Sequence, residues 1–564
     1  MERRKFLKSA GSLGTVTAVS SFAVFLKSCE SRMYNQNAAS LDNSLDTRGE
    51  DWEFDAVTIR PSNKADPVRL PDGIKRSVLI VGGGLAGLSA GMELAERGYQ
   101  VTIKEAAAEL GGRISTRTEK LSTGTFQVEH GLHMWFYQYY NFLDILGEKR
   151  LNLLDKYFVD FKEVAYQFAN YKPEVIKSEG AYPFNLMSIL LNSKNLNLMT
   201  AAGVLKGLPD LVGFDHSKVY EKYDNITFKE WATLKQINKD FYNIILQPAA
   251  SVTLNDSDKV SAAEMLMYTN YYFLGHPRAF WRKVTNVDHA TAVINPMANY
   301  IRQKGGVIKT NSPVAGFEIE NGRVIGEKGE NEIYDAVILA TDIPGSKSIL
   351  NGSSTADTQS ANALKTLQGS VQALKVAPHY SMLRVWFDKP TDPNRPDVQR
   401  VIETPDFKPV HLLCLFHMLE KECQDWANAN NGSIIEYHLY NTPELKGLSQ
   451  EEVWKKVKPQ SDKVLPELAD AKPLAFTLKG YDNFTSFEVG QASIRPQSDS
   501  ARAVGISNLG LAGDWISTNY PSALMERAIS TGRECANQIL LDDRVRQVEL
   551  RVAKNRGPGL FPKF

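Results

Sequence analysis

The stretch from Ser77 to Arg113, SVLIVGGGLAGLSAGMELAERGYQVTIKEAAAELGGR, constrains the fold more than any other part of this chain. It opens with an apolar, β-branched run, which predicts a strand buried on both faces. Glycines follow in the spacing G-x-G-x-x-G, and apolar residues then recur at helical spacing until Gly98. A second strand at 101–103 leads to Glu105. The stretch therefore predicts a strand–helix–strand unit of a parallel α/β sheet.

The glycines of this unit suit the binding of a dinucleotide. Gly82 allows a tight turn, Gly84 lets a pyrophosphate approach the backbone, and Gly87 lets helix and strand pack closely. The helix N-terminus supplies free N–H groups and a positive dipole for the phosphates. Glu105, 23 residues after Gly82, can accept hydrogen bonds from the adenosine ribose, and its charge repels a 2′-phosphate. A glycine-rich turn without a ligand is the alternative.

The composition is that of a folded protein with no preference for nucleic acid. With 564 residues the chain predicts two or three domains. Its 43% hydrophobic and 23% charged residues are typical of a globular protein. Basic and acidic residues balance at 65 each, so there is no electrostatic footprint for nucleic acid. C-x-x-C spacing is missing, so we expect neither a metal site nor a disulfide framework among Cys29, Cys414, Cys423 and Cys535.

The N-terminus resembles a twin-arginine export signal. Two arginines at 3–4 precede Phe-Leu-Lys and a weakly apolar segment, which is too short and polar to predict a permanent span. We expect residues 1–29 to direct export of the folded protein, to the periplasm or a membrane surface. A chance Arg-Arg pair in a protein at the cytoplasmic face of the membrane is the alternative, and lipidation of Cys29 stays open. The polar, patternless residues 30–73 predict a linker.

Helical patterns dominate the middle of the chain, and an α/β pattern returns after it. Between 142 and 280, the patterns at 184–191 and 198–205 predict either core helices or apolar surfaces that face a membrane. Further on, Asn321-Gly322 predicts the turn of a hairpin. We predict an α/β fold with residues 74–130, 292–345 and 500–541 in one sheet, residues 131–291 and 346–499 in an inserted mixed α+β domain that is partly helical, and residues 542–564 as a tail.

Three motifs together resemble the superfamily of FAD-dependent amine oxidases and carotenoid desaturases, over residues 74–540. The first is the opening stretch with its Gly-Gly-Arg tail at 111–113. The second, Gly-Leu-His at 131–133 followed by aromatic residues, is similar to the plant and cyanobacterial phytoene and ζ-carotene desaturases. The third comprises residues 511–514, 520–521 and 525–526, and it too favours the desaturases, because amine oxidases usually have Gly-Glu where Gly513-Asp514 stands. The resemblance implies a Rossmann-like FAD-binding domain and a substrate domain.

The resemblance also implies which residues contact FAD. Arg113 would neutralise phosphate charge, the backbone of Val314 would meet the adenine, and Asp514 would bind the ribityl–phosphate region. Met525, at the N-terminus of the last helix, would face the pyrimidine end of the flavin, where a helix dipole stabilises charge on the reduced ring. The other implied residues are Gly82, Gly84, Ala86, Gly87 and Gly112 near the pyrophosphate, Glu105 and Ala106 at the adenosine ribose, and His133, Met134 and Tyr139 beside the cofactor.

The leading hypothesis is a desaturase-like FAD-dependent oxidoreductase that takes hydride from a long apolar isoprenoid of the carotenoid type. We expect non-covalent FAD, because Cys535 lies inside the C-terminal helix. A membrane quinone as electron acceptor and a peripheral membrane contact would suit such a substrate. Oxidation of a small amine, and flavin binding without redox turnover in an exported protein, are the alternatives. A polyene predicts a long tunnel, an amine predicts an aromatic cage, and a non-catalytic role predicts no cavity at the flavin.

No motif identifies the catalytic residues. His133 is a candidate proton acceptor, because imidazole titrates near neutral pH, but a histidine that hydrogen-bonds the cofactor has the same pattern. Aromatic residues at 135–137 and 271–273 either line a substrate tunnel or pack in the core.

Overall fold

The computed structural model describes part of the chain. The described residues are 57–60, 62–177, 189–190, 192–197, 200, 203–204, 206–276 and 278–554. The predicted signal segment 1–29, with Cys29, lies outside them, as do most residues of the two apolar patterns at 184–191 and 198–205.

The strands of the described residues are, in chain order, β1 (Val57–Arg60), β2 (Ser77–Val81), β3 (Gln100–Lys104), β4 (Thr116–Leu121), β5 (Gly124–Glu129), β6 (Trp135–Phe136), β7 (Phe158–Phe161), β8 (Glu163–Tyr166), β9 (Glu174–Lys177), β10 (Arg282–Thr285), β11 (Val307–Lys309), β12 (Phe317–Glu320), β13 (Arg323–Glu327), β14 (Ala336–Leu339), β15 (Ser354–Thr355), β16 (Tyr380–Phe387), β17 (Val401–Glu403), β18 (Leu412–Leu415), β19 (Ser433–Leu439), β20 (Pro473–Tyr481), β21 (Leu509–Leu511) and β22 (Leu550–Val552).

The α-helices are α1 (Leu85–Glu96), α2 (Tyr140–Leu146), α3 (Leu154–Tyr157), α4 (Leu208–Val212), α5 (His216–Tyr223), α6 (Phe228–Leu234), α7 (Lys239–Phe241), α8 (Gln247–Ser251), α9 (Ala262–Leu274), α10 (Asn295–Gln303), α11 (Ile343–Gly352), α12 (Thr358–Gln372), α13 (Lys421–Asn430), α14 (Gln450–Val464), α15 (Gln491–Ile494), α16 (Ser500–Ala503) and α17 (Leu524–Asp542). Two π-helical turns, Tyr242–Leu246 and Ala290–Ile294, lead into α8 and α10. Among these described helices, none combines the length and the apolar character needed to cross a bilayer.

The central sheet has five parallel strands in the order β11-β3-β2-β14-β21. In its register Val78 lies beside Val101 and Ala336, and Val337 lies beside Leu509. These strands come from three separate parts of the chain, and their carboxyl ends meet at one edge. The α/β fold predicted from the sequence is confirmed.

Helix α1 connects β2 to β3 and is buried along almost its whole length. Small residues allow this: a Cβ at Gly91 would lie 3.1 Å from Cδ1 of Ile301 on α10. On another side α17 crosses α1, where a Cβ at Gly532 would lie 2.2 Å from the carbonyl oxygen of Ala86. Packing between the sheet, α10 and α17 therefore holds the N-terminus of α1 at the carboxyl edge of the sheet.

The opposite face of this sheet is covered by the hairpin of β12 and β13 together with α11 and α12. The hairpin turns at Asn321 and Gly322, which have φ of 51° and 66°, as the sequence predicts. Leu350 and Leu364 pack in one core with strand residues such as Val337. We expected residues from 346 onward to join the inserted domain, but those of α11 and α12 pack on the five-stranded sheet, because their apolar faces cover it.

The second large sheet has seven strands in the order β20-β16-β19-β18-β17-β8-β9. Neighbours are antiparallel except β17 and β8. Its outer face packs against α14, and its inner face turns towards the rest of the molecule.

Strands β7 to β9 lie where helical patterns dominate the sequence. Each has four residues, too few for a period-2 pattern to be recognised.

The ends of the described chain pair with each other. Strand β1 is antiparallel to β22, with Val57 opposite Val552. Residues 57–60 belong to the predicted linker and 550–552 to the predicted tail, so both expectations need correction at these positions. Local patterns do not reveal this pairing, because the two strands are far apart in sequence and each is very short.

Candidate functional site

A turn of glycines joins the carboxyl end of β2 to the N-terminus of α1. Gly82 has φ of 111°, and a Cβ at Gly87 would lie 2.0 Å from the carbonyl oxygen of Gly82. Around Gly84 there is space, since the nearest atom to a Cβ there is the Gly111 carbonyl oxygen at 4.0 Å. No side chain caps α1, and no acidic residue lies in its first turn. The turn therefore offers backbone N–H groups and a positive dipole to an anion such as a pyrophosphate.

Glu105 follows β3 beside this turn. Its two carboxylate oxygens accept hydrogen bonds from the backbone N–H groups of Gly83 and Ala107, each at 2.8 Å. These fixed donors hold the carboxylate in place and leave lone pairs for the hydroxyl groups of a ribose. The geometry suits an adenosine with a free 2′-hydroxyl.

Arg113 and Asp514 form an ion pair next to the glycine turn. Nη1 of Arg113 donates to Oδ2 of Asp514 at 3.0 Å, and Nη2 donates to Oδ1. Burial opposes the charge of Asp514, but Arg113 holds the pKa of this carboxyl below its usual value. Gly111 and Gly112, with φ of 109° and 57°, bend the chain so that Gly111 pairs with Gly84. The pair therefore places a guanidinium beside the space where the turn can hold phosphate.

The segment that follows β5 runs from the first sheet to the second. Gly131 has φ of 103°, and a Cβ there would lie 2.9 Å from the Tyr380 hydroxyl and 3.2 Å from Cε1 of His438. Nδ1 of His133 lies 2.8 Å from the Gly131 carbonyl oxygen. Burial, and next the adjacent imidazole of His289, lower the pKa of His133 to about 3. His133 is therefore a weak base, which disfavours it as a proton acceptor.

The aromatic residues of this segment pack mainly in the core. Tyr139 is 1% exposed, and its hydroxyl oxygen lies 2.8 Å from that of Tyr272. Trp135 and Tyr271 are fully buried, and Phe136 contacts Tyr272 with ring centroids 4.6 Å apart. Core packing is the better interpretation for these rings.

The last helix presents its N-terminus towards the same region. Met525 is its second residue and is 8% exposed, and no side chain caps the helix. The carboxyl of Glu526 turns away and accepts hydrogen bonds from the Asn141 backbone N–H at 2.8 Å, Asn141 Nδ2 at 2.7 Å and the Phe142 N–H at 3.0 Å. Burial raises the pKa of Glu526 to about 7 although these donors oppose the shift. The positive end of α17 stays available to a ligand.

The structure brings part of the predicted set together at the carboxyl edge of the five-stranded sheet. These residues are Gly82, Gly84, Gly87, Glu105, Gly112, Arg113 and Asp514. Ala106 is exposed beside Glu105, and Met134 is half-buried after His133. By contrast, Ala86, Val314 and Tyr139 are buried, so they offer little side-chain surface. Their assigned contacts with FAD stay predictions.

Several residues at this edge were not predicted. The Phe484 ring lies 5.4 Å from the guanidinium carbon of Arg113, and Thr485 hydrogen-bonds Asp514. Asn483 donates to Asp342 at 2.9 Å. No sequence signal marks this segment, because it follows a strand of the other sheet and reaches the site only through the tertiary fold. The phosphate turn, the ribose acceptor and the guanidinium together fit the FAD that the resemblance implies.

Comparisons with known proteins agree with this geometry. A family model described as flavin containing amine oxidoreductase matches residues 85–540. The carotenoid phi-ring synthase of Chlorobaculum tepidum is 23% identical over an alignment 603 residues long, gaps included, and the match covers 86% of this chain and 91% of the relative. The ζ-carotene desaturase of Synechocystis is 23% identical over 495 residues, covering 82% and 97%.

Solved structures show the same fold. The structure of wild-type putrescine oxidase bound to putrescine has a TM-score of 0.59 and 14% sequence identity, and the match covers 83% of this chain and 99% of that one. At this identity the likeness concerns the fold alone. Because the family model spans most of the sequence, the chain belongs to the family of flavin-containing amine oxidoreductases.

Proposed function

We propose that this protein is a desaturase-like oxidoreductase that takes hydride from a long apolar isoprenoid of the carotenoid type. Membership of the family makes it an FAD-dependent oxidoreductase. Two of the relatives, a carotenoid phi-ring synthase and a ζ-carotene desaturase, favour a carotenoid substrate. When bound, FAD supplies the hydride acceptor, and the chain supplies the pocket that orients the substrate.

A row of rings on the inner side of the seven-stranded sheet carries this proposal. It begins with Phe484, beside the Arg113 guanidinium. Successive ring centroids are 6.4 Å apart from Phe484 to Tyr481, 5.7 Å from Tyr481 to Tyr380, 5.5 Å from Tyr380 to Tyr440 and 5.4 Å from Tyr440 to His411. An extended row of polarisable rings suits a polyene better than a compact amine.

The row ends at a small cavity with mostly apolar walls. The residues that line it are Pro248, Ser251, Val252, Glu403, Pro405, His411, Leu412 and Tyr440. Burial raises the pKa of Glu403 above its usual value, although Arg282 and Tyr166 act against the shift. A carboxyl with a raised pKa is a poor counter-ion for an ammonium group. The lining of this small cavity therefore disfavours an ammonium group.

We also propose that FAD is held without a covalent bond. Sγ of Cys535 donates to the Leu511 carbonyl oxygen at 3.1 Å, and the side chain packs between α17 and the sheet. Burial raises the pKa of the thiols of Cys414 and Cys423 well above their usual value. Attachment through a cysteine needs an accessible thiolate. Release of all flavin on acid precipitation is the expected result, and flavin retained on the precipitated chain would contradict it.

Export by the twin-arginine route is a further proposal, with a peripheral membrane contact and a membrane quinone as electron acceptor. It rests on the arginine pair at 3–4 and the segment after it. An apolar substrate and a quinone both reside in lipid, so a protein at the membrane surface can reach both. Changing Arg3 and Arg4 to Lys is expected to abolish recovery in the exported fraction. Unchanged recovery would contradict this route.

The test of the function is anaerobic reduction of the bound flavin. Purified protein is mixed with carotenoid precursors in detergent micelles, or with putrescine and cyclohexylamine, and loss of the oxidised flavin absorbance is recorded. Bleaching by the precursors is expected, together with a more unsaturated product. Bleaching by the amines alone would favour the amine alternative, and bleaching by neither would favour a non-catalytic flavin-binding role.

A further inference from the structure

A chain of buried hydrogen bonds crosses the inner face of the seven-stranded sheet. The Tyr380 hydroxyl oxygen lies 2.8 Å from Nδ1 of His438, and Nε2 of His438 lies 2.8 Å from Oε1 of Glu436. The other oxygen of Glu436 accepts from Arg384 at 2.7 and 2.9 Å. Arg384 also donates to Glu129 at 2.8 Å. Every one of these side chains is less than 5% exposed.

The proton positions in this chain follow from the charges around it. Burial opposes ionisation of Glu436, yet Arg384 and His438 hold its pKa below the usual value. A carboxylate at Glu436 requires Nε2 of His438 to be the protonated nitrogen, because that nitrogen faces it. Nδ1 is then the acceptor, and the Tyr380 hydroxyl donates to it. The Tyr380 oxygen keeps free lone pairs.

The Tyr380 end of the chain touches the segment assigned to the cofactor. The ideal Cβ position at Gly131 is only 2.9 Å from the Tyr380 oxygen. The backbone N–H of Leu132 donates to Glu436 at 3.2 Å. Tyr380 is also a member of the ring row, stacked on Tyr481. The end of the hydrogen-bond chain thus lies where the proposed substrate path meets the Gly131 segment.

We propose that Tyr380 is the catalytic proton acceptor of the desaturation. His438 positions the Tyr380 hydroxyl and takes up its proton, and Glu436 stabilises the positive charge that His438 then carries. The proposal rests on the proposed function. With FAD bound, the substrate would lose a hydride, with its electron pair, to the flavin. The adjacent C–H bond breaks, its electron pair forms the new C=C bond, and its proton goes to the Tyr380 oxygen. The phenolic proton of Tyr380 passes to Nδ1 of His438, and the resulting imidazolium lies beside the Glu436 carboxylate.

A metal ion is a less suitable occupant of the same residues. Cys414, Glu436 and His438 bring potential ligand atoms within 4.8 Å of one another. The carboxylate of Glu436 is already hydrogen-bonded by Arg384 and His438, and the guanidinium of Arg384 would repel a cation. Burial also raises the pKa of the Cys414 thiol. Proton transfer, by contrast, needs only the existing hydrogen bonds of Glu436 and His438.

The first test compares Tyr380→Phe with Tyr437→Phe. Tyr437 lies between Glu436 and His438 on β19 but faces the outer side, where its hydroxyl meets Ser461 at 2.7 Å. With a precursor that bleaches the wild type, Tyr380→Phe is expected to slow flavin reduction by about 10²- to 10⁴-fold, as for loss of a general base. Flavin content and the spectrally titrated substrate affinity are expected to stay within about threefold. Tyr437→Phe is expected to reduce at the wild-type rate. Equal rates for both variants overturn the proposal.

The second test needs no substrate. In protein labelled with ¹⁵N at the histidine rings, NMR is expected to show His438 as the Nε2–H tautomer, identified by loss of its signals in His438→Gln. Glu436→Gln is expected to weaken that preference. An Nδ1–H tautomer in the wild type overturns the relay. If no isoprenoid bleaches the wild type, the proposed function has failed, and the tautomer still decides the hydrogen-bond arrangement. If the Tyr380→Phe variant does not retain flavin, the rate of flavin reduction is measured in His438→Gln instead, and the same slowing is expected.

Discussion

The guanidinium of Arg113 donates two hydrogen bonds to the carboxylate of Asp514, which is 401 residues further along the chain. Arg113 follows the first strand–helix–strand unit, whereas Asp514 follows β21 at the other side of the same sheet. The pair therefore ties together two segments of the candidate cofactor site. It would also set the charge that a phosphate bound there meets, because Asp514 partly neutralises the arginine.

Asp514→Asn removes the charge and leaves the partly buried Arg113 without its counter-ion. We expect a loss of about 1–3 kcal/mol in the free energy of unfolding, the usual cost of an uncompensated buried group, and a reduced flavin content. Thermal unfolding and the ratio of flavin to protein absorbance measure both. The control is Asp542→Asn, whose partner Arg502 forms an exposed pair, and it is expected to change stability by less than about 1 kcal/mol. Equal effects of the two changes would contradict this role.

Gly87→Ala tests the close approach of α1 to β2. The new Cβ would lie 2.0 Å from the Gly82 carbonyl oxygen, so the helix must move away from the turn that is to hold the pyrophosphate. We expect a lower unfolding temperature and loss of bound flavin. At Gly369, in the last turn of α12, nothing beyond its chain neighbours and the adjacent helix backbone lies within 4 Å of the Cβ position. Gly369→Ala is therefore expected to stabilise the protein by about 0.4–1 kcal/mol, and a similar loss in both variants would refute the steric argument.

Glu105→Gln tests the ribose contact. The amide keeps one acceptor but loses the charge that strengthens its hydrogen bonds, and its NH₂ group opposes one of the N–H groups of Gly83 and Ala107. A loss of about 1.5–3 kcal/mol in the free energy of FAD binding is expected, which is roughly a 10- to 150-fold weaker affinity. Quenching of FAD fluorescence on binding to apoprotein measures it. Glu109→Gln, four residues further on, serves as the control and is expected to bind FAD like the wild type.

The local fold around the glycine turn was predictable from the sequence. The turn at Gly82 and the helix after it depend on residues that are adjacent in the chain, so spacing alone reveals them. The contact between Arg113 and Asp514 depends on the order of strands in the sheet, which no local pattern contains. Each residue was expected at the cofactor, but their pairing was not foreseen.

The inner face of the second sheet shows why the rest was missed. On β19, Glu436 and His438 alternate with Ile435, Tyr437 and Leu439. Period-2 alternation of this kind normally places the polar residues in solvent. Here both faces are buried, because the segment after β5 covers the polar face and Arg384 supplies the compensating charge. Polar residues on a buried face become recognisable only once their partners are known.

Glu526→Gln tests the carboxyl that joins α17 to the start of α2. The folded protein raises the pKa of Glu526 to about 7, whereas an unfolded chain has a value of about 4.3. Folding therefore takes up a proton between these pH values, so this group's contribution to stability is complete below about pH 4 and falls as pH rises to about 7. We expect the wild-type stability, relative to that of the Gln variant, to fall by up to about 3 kcal/mol between pH 5 and 8. Chemical unfolding of both proteins across this range measures the difference, and parallel curves would show that Glu526 ionises normally.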